Sequence, residues 1–255
     1  MEQASLPFGQ RLASAVLVKR SAVCVGLDPR WQSLPAPIRA EVDRTDLAKV
    51  ADRTAQYCCE VVDAVAAVAP VVKPQAAFFE QLGPAGMQAL KQVVDHAVQS
   101  GLLVILDGKR GDIGSTATGY AEAYLGRQSP WNCDALTVNP FLGDDTLLPF
   151  IDAARAHAAG IFVLVKTSNP GSGFLQDIQA DTGTVSERLA GVVQAAASVD
   201  AGIDGYGSIG AVVGATYPAQ LAAFRQHMPN AWILIPGYGA QGGTAADVAH
   251  GFDKR

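Results

Sequence analysis

Short, nearly continuous apolar runs alternate with segments of helical period along almost the whole chain. The runs AVCVGLD (22–28), PVVKPQ (70–75), LLVILDGK (102–109), ALTVNP (135–140), IFVLVKTS (161–168), IGAVVGAT (209–216) and WILIPGYG (232–239) predict seven strands buried on both faces. Between them, residues 46–67 set Leu47, Val50, Tyr57, Cys58, Val61, Val62 and Val65 on one stripe, with Asp46 as the N-cap. Pro84 opens a helix carrying Met87, Leu90, Val93 and Val94 that Gly101 ends, and Leu147, Leu148, Ile151 and Ala154 mark another, stopped by Gly160. Further helices are predicted over about 184–198, 218–228 and 244–250, and the N-terminal segment reads as a first amphipathic helix. Unbroken β-α alternation points to a parallel sheet.

Polar, Gly and Pro residues follow nearly every predicted strand: DPR, KPQ, DGKRGD, NPF, KTSNPGSG, GAT and PGYGAQGG. An open doubly wound sheet gathers its ligand groups at one switch point, whereas contributions from almost every strand suit a barrel mouth. The expected architecture is therefore a single-domain TIM (β/α)8 barrel over residues 1–255. Its eighth strand is missing: the sequence stops at HGFDKR, where that strand is due, so either this is a shortened form of a longer protein, the favoured reading, or the barrel is open. Two insertions, 29–45 and 168–183, follow the first and fifth strands and would lie over the same mouth as lids or substrate walls.

Composition narrows the chemistry. The 255 residues are 49% hydrophobic and 17% charged, with a net charge of −5, which suits a globular enzyme and argues against a nucleic-acid surface. No run approaches the ~18 apolar residues of a membrane span, and no export signal precedes the first helix. Cys24, Cys58, Cys59 and Cys133 form no C-x-x-C pair and fit reduced thiols in a cytoplasm. His96, His157, His227 and His250 are scattered, so no zinc site is expected.

The exception to an apolar interior is LDGKRGDIG (106–114), which places four charges at the end of a buried strand. Strand alternation would point Asp107 and Lys109 the same way, with Asp112 on the loop beyond. An internal ion pair is the bland reading. Buried pairs are seldom kept for stability, and a third charge of repeated sign makes that reading harder.

The run matches D-x-K-x-x-D-I, and the chain resembles the orotidine 5′-phosphate decarboxylase family in this and five further segments. These are LDP (27–29), KPQ (73–75), NPFLGDD (139–145), KTSNPGS (166–172) and PGYGAQGG (236–243), in the style of the family's larger bacterial branch. The resemblance implies cofactor-free, metal-free conversion of orotidine 5′-monophosphate (OMP) to UMP and CO2. It implies a charged network of Lys73, Asp107, Lys109 and Asp112, with Lys109 as proton donor and Asp112 reaching across a homodimer interface into the partner's site. Thr116 would contact the neighbour's ligand. Asp28 and Lys73 would bind ribose hydroxyls, and Ser168 the pyrimidine. Gln241 would bridge the pyrimidine and phosphate ends, with Pro236 and Gly242 in the same loop. The family's phosphate-binding Arg follows strand eight, and nothing at 251–255 replaces it.

Three other readings are open on these residues. Magnesium-dependent sugar-phosphate decarboxylases and hexulose-phosphate synthases of the same superfamily share D-x-K-x-x-D, but would want a further acidic ligand where Lys73 stands. A Schiff-base aldolase barrel would use Lys166 as nucleophile. A truncated, inactive barrel would only bind pyrimidine nucleotides.

Overall fold

The computed structural model describes residues 6–239 and 242–253. Its contacts divide the chain into two compact units.

The first unit comprises Ser14–Gly108 and Ala123–Leu136. Its sheet is parallel, in the order β1 (Cys24–Leu27), β2 (Val71–Pro74), β3 (Leu103–Arg110, entering this unit as far as Gly108). Gly26 faces Lys73 across the first ladder, and Val72 faces Val104 across the second. Val71, Val72, Val104, Ile105 and Leu106 are buried. Each such side chain contributes on the order of 1.5–3 kcal/mol when taken from water, so the apolar run that predicts each strand also holds it in place. The helices Leu47–Val65 and Gly83–Gln99 pack on each other, and their residues Val50, Cys58, Val62, Leu90, Val93 and Val94 are buried. Asp46 caps the first of them as expected, accepting from the Lys49 N–H at 3.1 Å. The insertion after β1 forms two short helical turns and buries Trp31, Leu34 and Ile38.

The second unit comprises residues 1–13, Lys109–Glu122 and Thr137–Arg255. Its parallel sheet runs β5 (Gly160–Lys166), β8 (Ile209–Val213), β9 (Ile233–Leu234), with Ile161 facing Ile209 and Ala211 facing Ile233. The remaining parallel strand, β4 (Ala135–Val138), is buried at every residue. Gly160 is glycine for packing reasons: a Cβ there would lie 2.2 Å from the Phe8 ring. The insertion after β5 contains an antiparallel hairpin, β6 (Gln179–Ala180) and β7 (Gly183–Thr184), closed by Gly183 at φ +110°. Thr184 then starts the helix Val185–Val199 with a reciprocal Thr184–Glu187 capping box.

All seven predicted strands are present, most of them shorter than predicted, with β3 running one residue further at its end and β5 starting one residue earlier. The pattern did not reveal the helix Gly114–Tyr124 or the β6–β7 hairpin. The last element among the described residues is the helix Ala245–Ala249.

Candidate active site

In the first unit, the strand ends bring Lys73, Gln75 and Asp107 together. Lys73 Nζ donates to Asp107 Oδ2 at 2.7 Å, and Gln75 Nε2 donates to the same oxygen at 3.0 Å. The backbone carries the same connection, since the Ala76 N–H donates to the Asp107 carbonyl at 3.2 Å. Asp107 is only 7% exposed. Burial alone would pull the Lys73 ammonium down, but the charge and hydrogen bond of Asp107 outweigh it and leave the amine above its ordinary value. Lys73 is thus held as a cation beside a carboxylate. Cys24, facing Val71 across the ladder, feels the same charges. Its burial, with Asp107 and Asp28 nearby and despite Lys73, pushes the thiol up to about 12. Asp28 is exposed on the loop after β1.

In the second unit, Lys109 is exposed and its backbone adopts φ +45°, a conformation rare for a residue with a side chain. Alternation along β3 therefore holds as far as Asp107 and does not dictate the direction of Lys109, which corrects the expectation from strand geometry. Asp112 lies on the loop as predicted, its Oδ1 accepting from the Ile113 N–H at 2.8 Å just before the helix Gly114–Tyr124. Thr116 sits exposed in the first turn of that helix. Ser168, just past β5, is half-buried, and its carbonyl accepts from Thr216 Oγ1 at 3.1 Å. Gly214 presses against it: a Cβ there would lie 2.8 Å from the Ser168 Cα.

The described residues of the PGYGAQGG loop turn tightly. Pro236 accepts from the Ala215 N–H at 2.9 Å, and the Gly242 N–H donates to the Gly239 carbonyl at 2.8 Å. Gly237, Gly239 and Gly242 have φ of +107°, +76° and +91°, which no other residue adopts without strain. Gln241 lies outside the described residues. At the start of the helix after the loop, a Thr244–Asp247 capping box takes the Thr244 and Asp247 N–H groups and places a carboxylate there.

Lys166 does not fit the Schiff-base reading. It is fully buried, and its Nζ donates to both Asp177 oxygens, at 2.8 and 2.7 Å, while lying 4.7 Å from the centre of the Tyr217 ring. A Schiff-base lysine must offer a free lone pair to a carbonyl. Among the described residues, no three His, Cys, Asp or Glu side chains gather in a metal-binding cluster.

Residues 21–251 match the family described as orotidine 5′-phosphate decarboxylase / HUMPS. The chain belongs to this family. An orotidine 5′-phosphate decarboxylase of Rhodopirellula baltica is 54% identical over 252 residues, covering 97% of this chain and 83% of that protein. One from Deinococcus radiodurans is 47% identical over 96% of this chain and 83% of that protein. Among solved structures, one from Streptomyces avermitilis superposes with a TM-score of 0.83 at 39% identity, over 99% of this chain and 84% of that one. Leishmania donovani OMP decarboxylase gives 0.71 at 35%, over 91% of this chain and 80% of that one. The fold class is the TIM (β/α)8 barrel of these orotidine 5′-phosphate decarboxylase relatives.

Within this family setting, sequence reasoning passed over two residues. Gln75 shares the Asp107 oxygen with Lys73, and its signal was in KPQ itself: two residues past Lys73 on a strand means the same face. Thr137 is the one polar residue in β4. It is 1% exposed, with its Oγ1 accepting from the Lys109 N–H at 2.9 Å. A hydroxyl in ALTV was the available signal, but periodicity alone assigns it to the core.

Proposed function

We propose that this chain decarboxylates OMP to UMP and CO2 without a cofactor, in pyrimidine-nucleotide biosynthesis. The observation that carries this reading is the Lys73–Asp107 pair at the ends of β2 and β3, with Lys109 two residues further on. Breaking the C6–carboxylate bond leaves the electron pair on C6 in the ring plane, where no carbonyl or imine can delocalise it. The enzyme must therefore lower the barrier by roughly 20 kcal/mol, near the top of what enzymes achieve. A fixed ammonium is the reagent suited to that task. Lys109 stabilises the developing charge and then transfers its proton to C6, completing UMP and leaving a neutral amine that solvent reprotonates. Asp107, which accepts from Lys73 and Gln75, balances the ammonium and faces the departing carboxylate. Asp28 and Lys73 bind the ribose, Ser168 the pyrimidine, and the 236–243 loop with Pro236, Gln241 and Gly242 the phosphate side.

The active unit of this reading is a homodimer, with Asp112 and Thr116 serving the partner's site. Its support is local: Ile113 is 62% exposed beside Asp112, and Phe141 is 71% exposed beyond β4, apolar area that a second copy would cover. The family match runs uninterrupted through both compact units, which supports treating the chain as one domain. A cytoplasmic location accords with four free thiols. Among the described residues, no helix is long and apolar enough to cross a membrane.

The direct test is the loss of OMP absorbance on adding the purified chain, which should proceed with kcat within the ~1–10³ s⁻¹ of ordinary enzymes. Unchanged absorbance, with OMP still bound in a titration, would leave only a pyrimidine-binding barrel. A shared site makes a second prediction. Lys109→Ala and Asp112→Asn proteins, each nearly inactive alone, should regain up to about a quarter of wild-type activity per site when mixed, because random hybrid dimers restore one intact site. Strict additivity on mixing would refute sharing.

A further inference from the structure

The strain at Lys109 has a specific partner. In a regular parallel ladder the N–H of a strand residue goes to a carbonyl of its neighbour. The Lys109 N–H goes instead to a side chain, Thr137 Oγ1, at 2.9 Å. One residue later the ladder resumes, with the Asn139 N–H donating to the Arg110 carbonyl at 2.8 Å. Lower on the same two strands, the Asp134 N–H donates to the Val104 carbonyl at 2.9 Å. Between these bonds β3 takes six steps (104 to 110) and the segment containing β4 five (134 to 139), so β3 carries one extra residue. Such a bulge re-aims a side chain and is common beside active sites. Lys109, at φ +45°, is where the extra residue is absorbed.

The far side of the bulge is closed as well. A Cβ on Gly111 would lie 2.6 Å from the Asn139 carbonyl, so the chain can leave the strand along this path only with glycine there. Thr137 is buried to 1% exposure and lies on a strand with every residue buried. Its hydroxyl is a buried acceptor for the Lys109 N–H, placed at the bulge. An unpaired N–H at this point would favour a return to the extended conformation, in which Lys109 would leave the strand in a different direction.

We propose that Thr137 is a positioning residue for Lys109: its hydroxyl captures the Lys109 N–H, stabilises the left-handed backbone there, and so aims the ammonium. This rests on the reading of Lys109 as proton donor. Thr137 is itself buried. It acts on turnover through the direction of one Cα–Cβ bond, and reactions of positioned groups lose up to about 100-fold for a misplacement near 1 Å.

The test compares Thr137→Val, which keeps the shape and removes the acceptor, with Thr137→Ser, which keeps the acceptor. In the Val variant kcat should fall roughly 10–100-fold while KM for OMP stays within about twofold, and the Ser variant should stay within about threefold of wild type in both. Independently of turnover, the Lys109 amide hydrogen should exchange at least about tenfold faster in the Val variant and at the native rate in the Ser variant. Equal kcat in Val and wild type, equal losses in Val and Ser, or an unchanged Lys109 amide would each overturn the proposal. Should the Val protein fail to fold, Thr137→Ala against Thr137→Ser makes the same comparison, and failure of the Ala protein too would make Thr137 structural only. Lys109→Ala separates the two levels. If it stays active, the proton-donor reading fails and this inference with it; if it is inactive while Thr137→Val is not, only this inference fails.

Discussion

Lys109→Ala should lower kcat by roughly 10⁴-fold or more while leaving the thermal midpoint within a few degrees of wild type. The argument has two independent parts. A positioned general acid is worth about 10²–10⁴, and a fixed charge at the developing anion a further ~10²–10³. One side chain supplies both here, because the C6 carbanion has no other means of stabilisation. The fold should not notice the change. Lys109 is exposed, so truncation opens no cavity, and alanine meets the same φ +45° penalty that lysine already bears. Lys109→Gly is the useful control, because glycine adopts that φ without strain: it should be equally inactive and at least as stable as the Ala variant. Activity within about 100-fold of wild type in either variant would mean that the proton comes from elsewhere. The measurements are steady-state OMP turnover and a thermal melt of each protein.

What was legible in the sequence follows from which physical signals are local. The seven strands showed themselves because each is buried on both faces, and continuous apolar runs such as LLVIL or IFVLV leave few alternatives. The helix Gly114–Tyr124 did not show itself, because its buried positions are Ala117, Ala121 and Tyr124. Alanines packed close to a neighbour give little hydrophobic contrast against Gly, Ser and Thr. The β6–β7 hairpin is two residues per strand, too short for a period of two to register. In the site, Lys73 and Asp107 were brought into one network by the family resemblance of KPQ and DGKRGDIG, and the cost of unpaired charges at the ends of apolar strands accords with their pairing. The direction of Lys109 could not be. It depends on a bulge, and a bulge is a relation between two strands that neither DGKRG nor ALTVN announces alone.

Asp177→Asn should destabilise the protein by roughly 2–3 kcal/mol, whereas Lys166→Met should be neutral to within about 1 kcal/mol. The asymmetry comes from where each partner sits. The Lys166 side chain is fully buried at the end of β5, while Asp177, on the following insertion, is 40% exposed. Removing the carboxylate leaves an ammonium inside the protein with only the Tyr217 face and a neutral amide as company. Removing the ammonium leaves a carboxylate that water already reaches, and methionine fills the space of the lysine stem. The cost lies below the ~3–5 kcal/mol of a fully enclosed pair because Asp177 is partly solvated. In a chain of this size it should lower the melting midpoint by roughly 5–10 °C. Lys166→Met added to Asp177→Asn should then recover most of the loss. The pH dependence has a definite sign. The hydrogen bond from Lys166 holds the Asp177 carboxyl below its ordinary 3.8, so its stabilisation is complete above that value and disappears as pH falls through the lower, folded-state value. The gap between wild type and Asp177→Asn should therefore be constant near neutrality and close in acid below 3.8. Melts of the two single variants and the double variant at pH 7 and in acid decide the matter. Equal damage from Lys166→Met and Asp177→Asn would mean that the pair itself, and not the isolated buried charge, sets the energy. Because Gln220 also donates to Asp177 at 3.2 Å and Gln176 accepts from the Thr167 N–H at 2.9 Å, the pair fastens residues 168–183 to the strand end that presents Ser168. The Asp177→Asn protein should for that reason show a raised KM for OMP with kcat nearly unchanged, the signature of a loosened binding wall and not of lost chemistry.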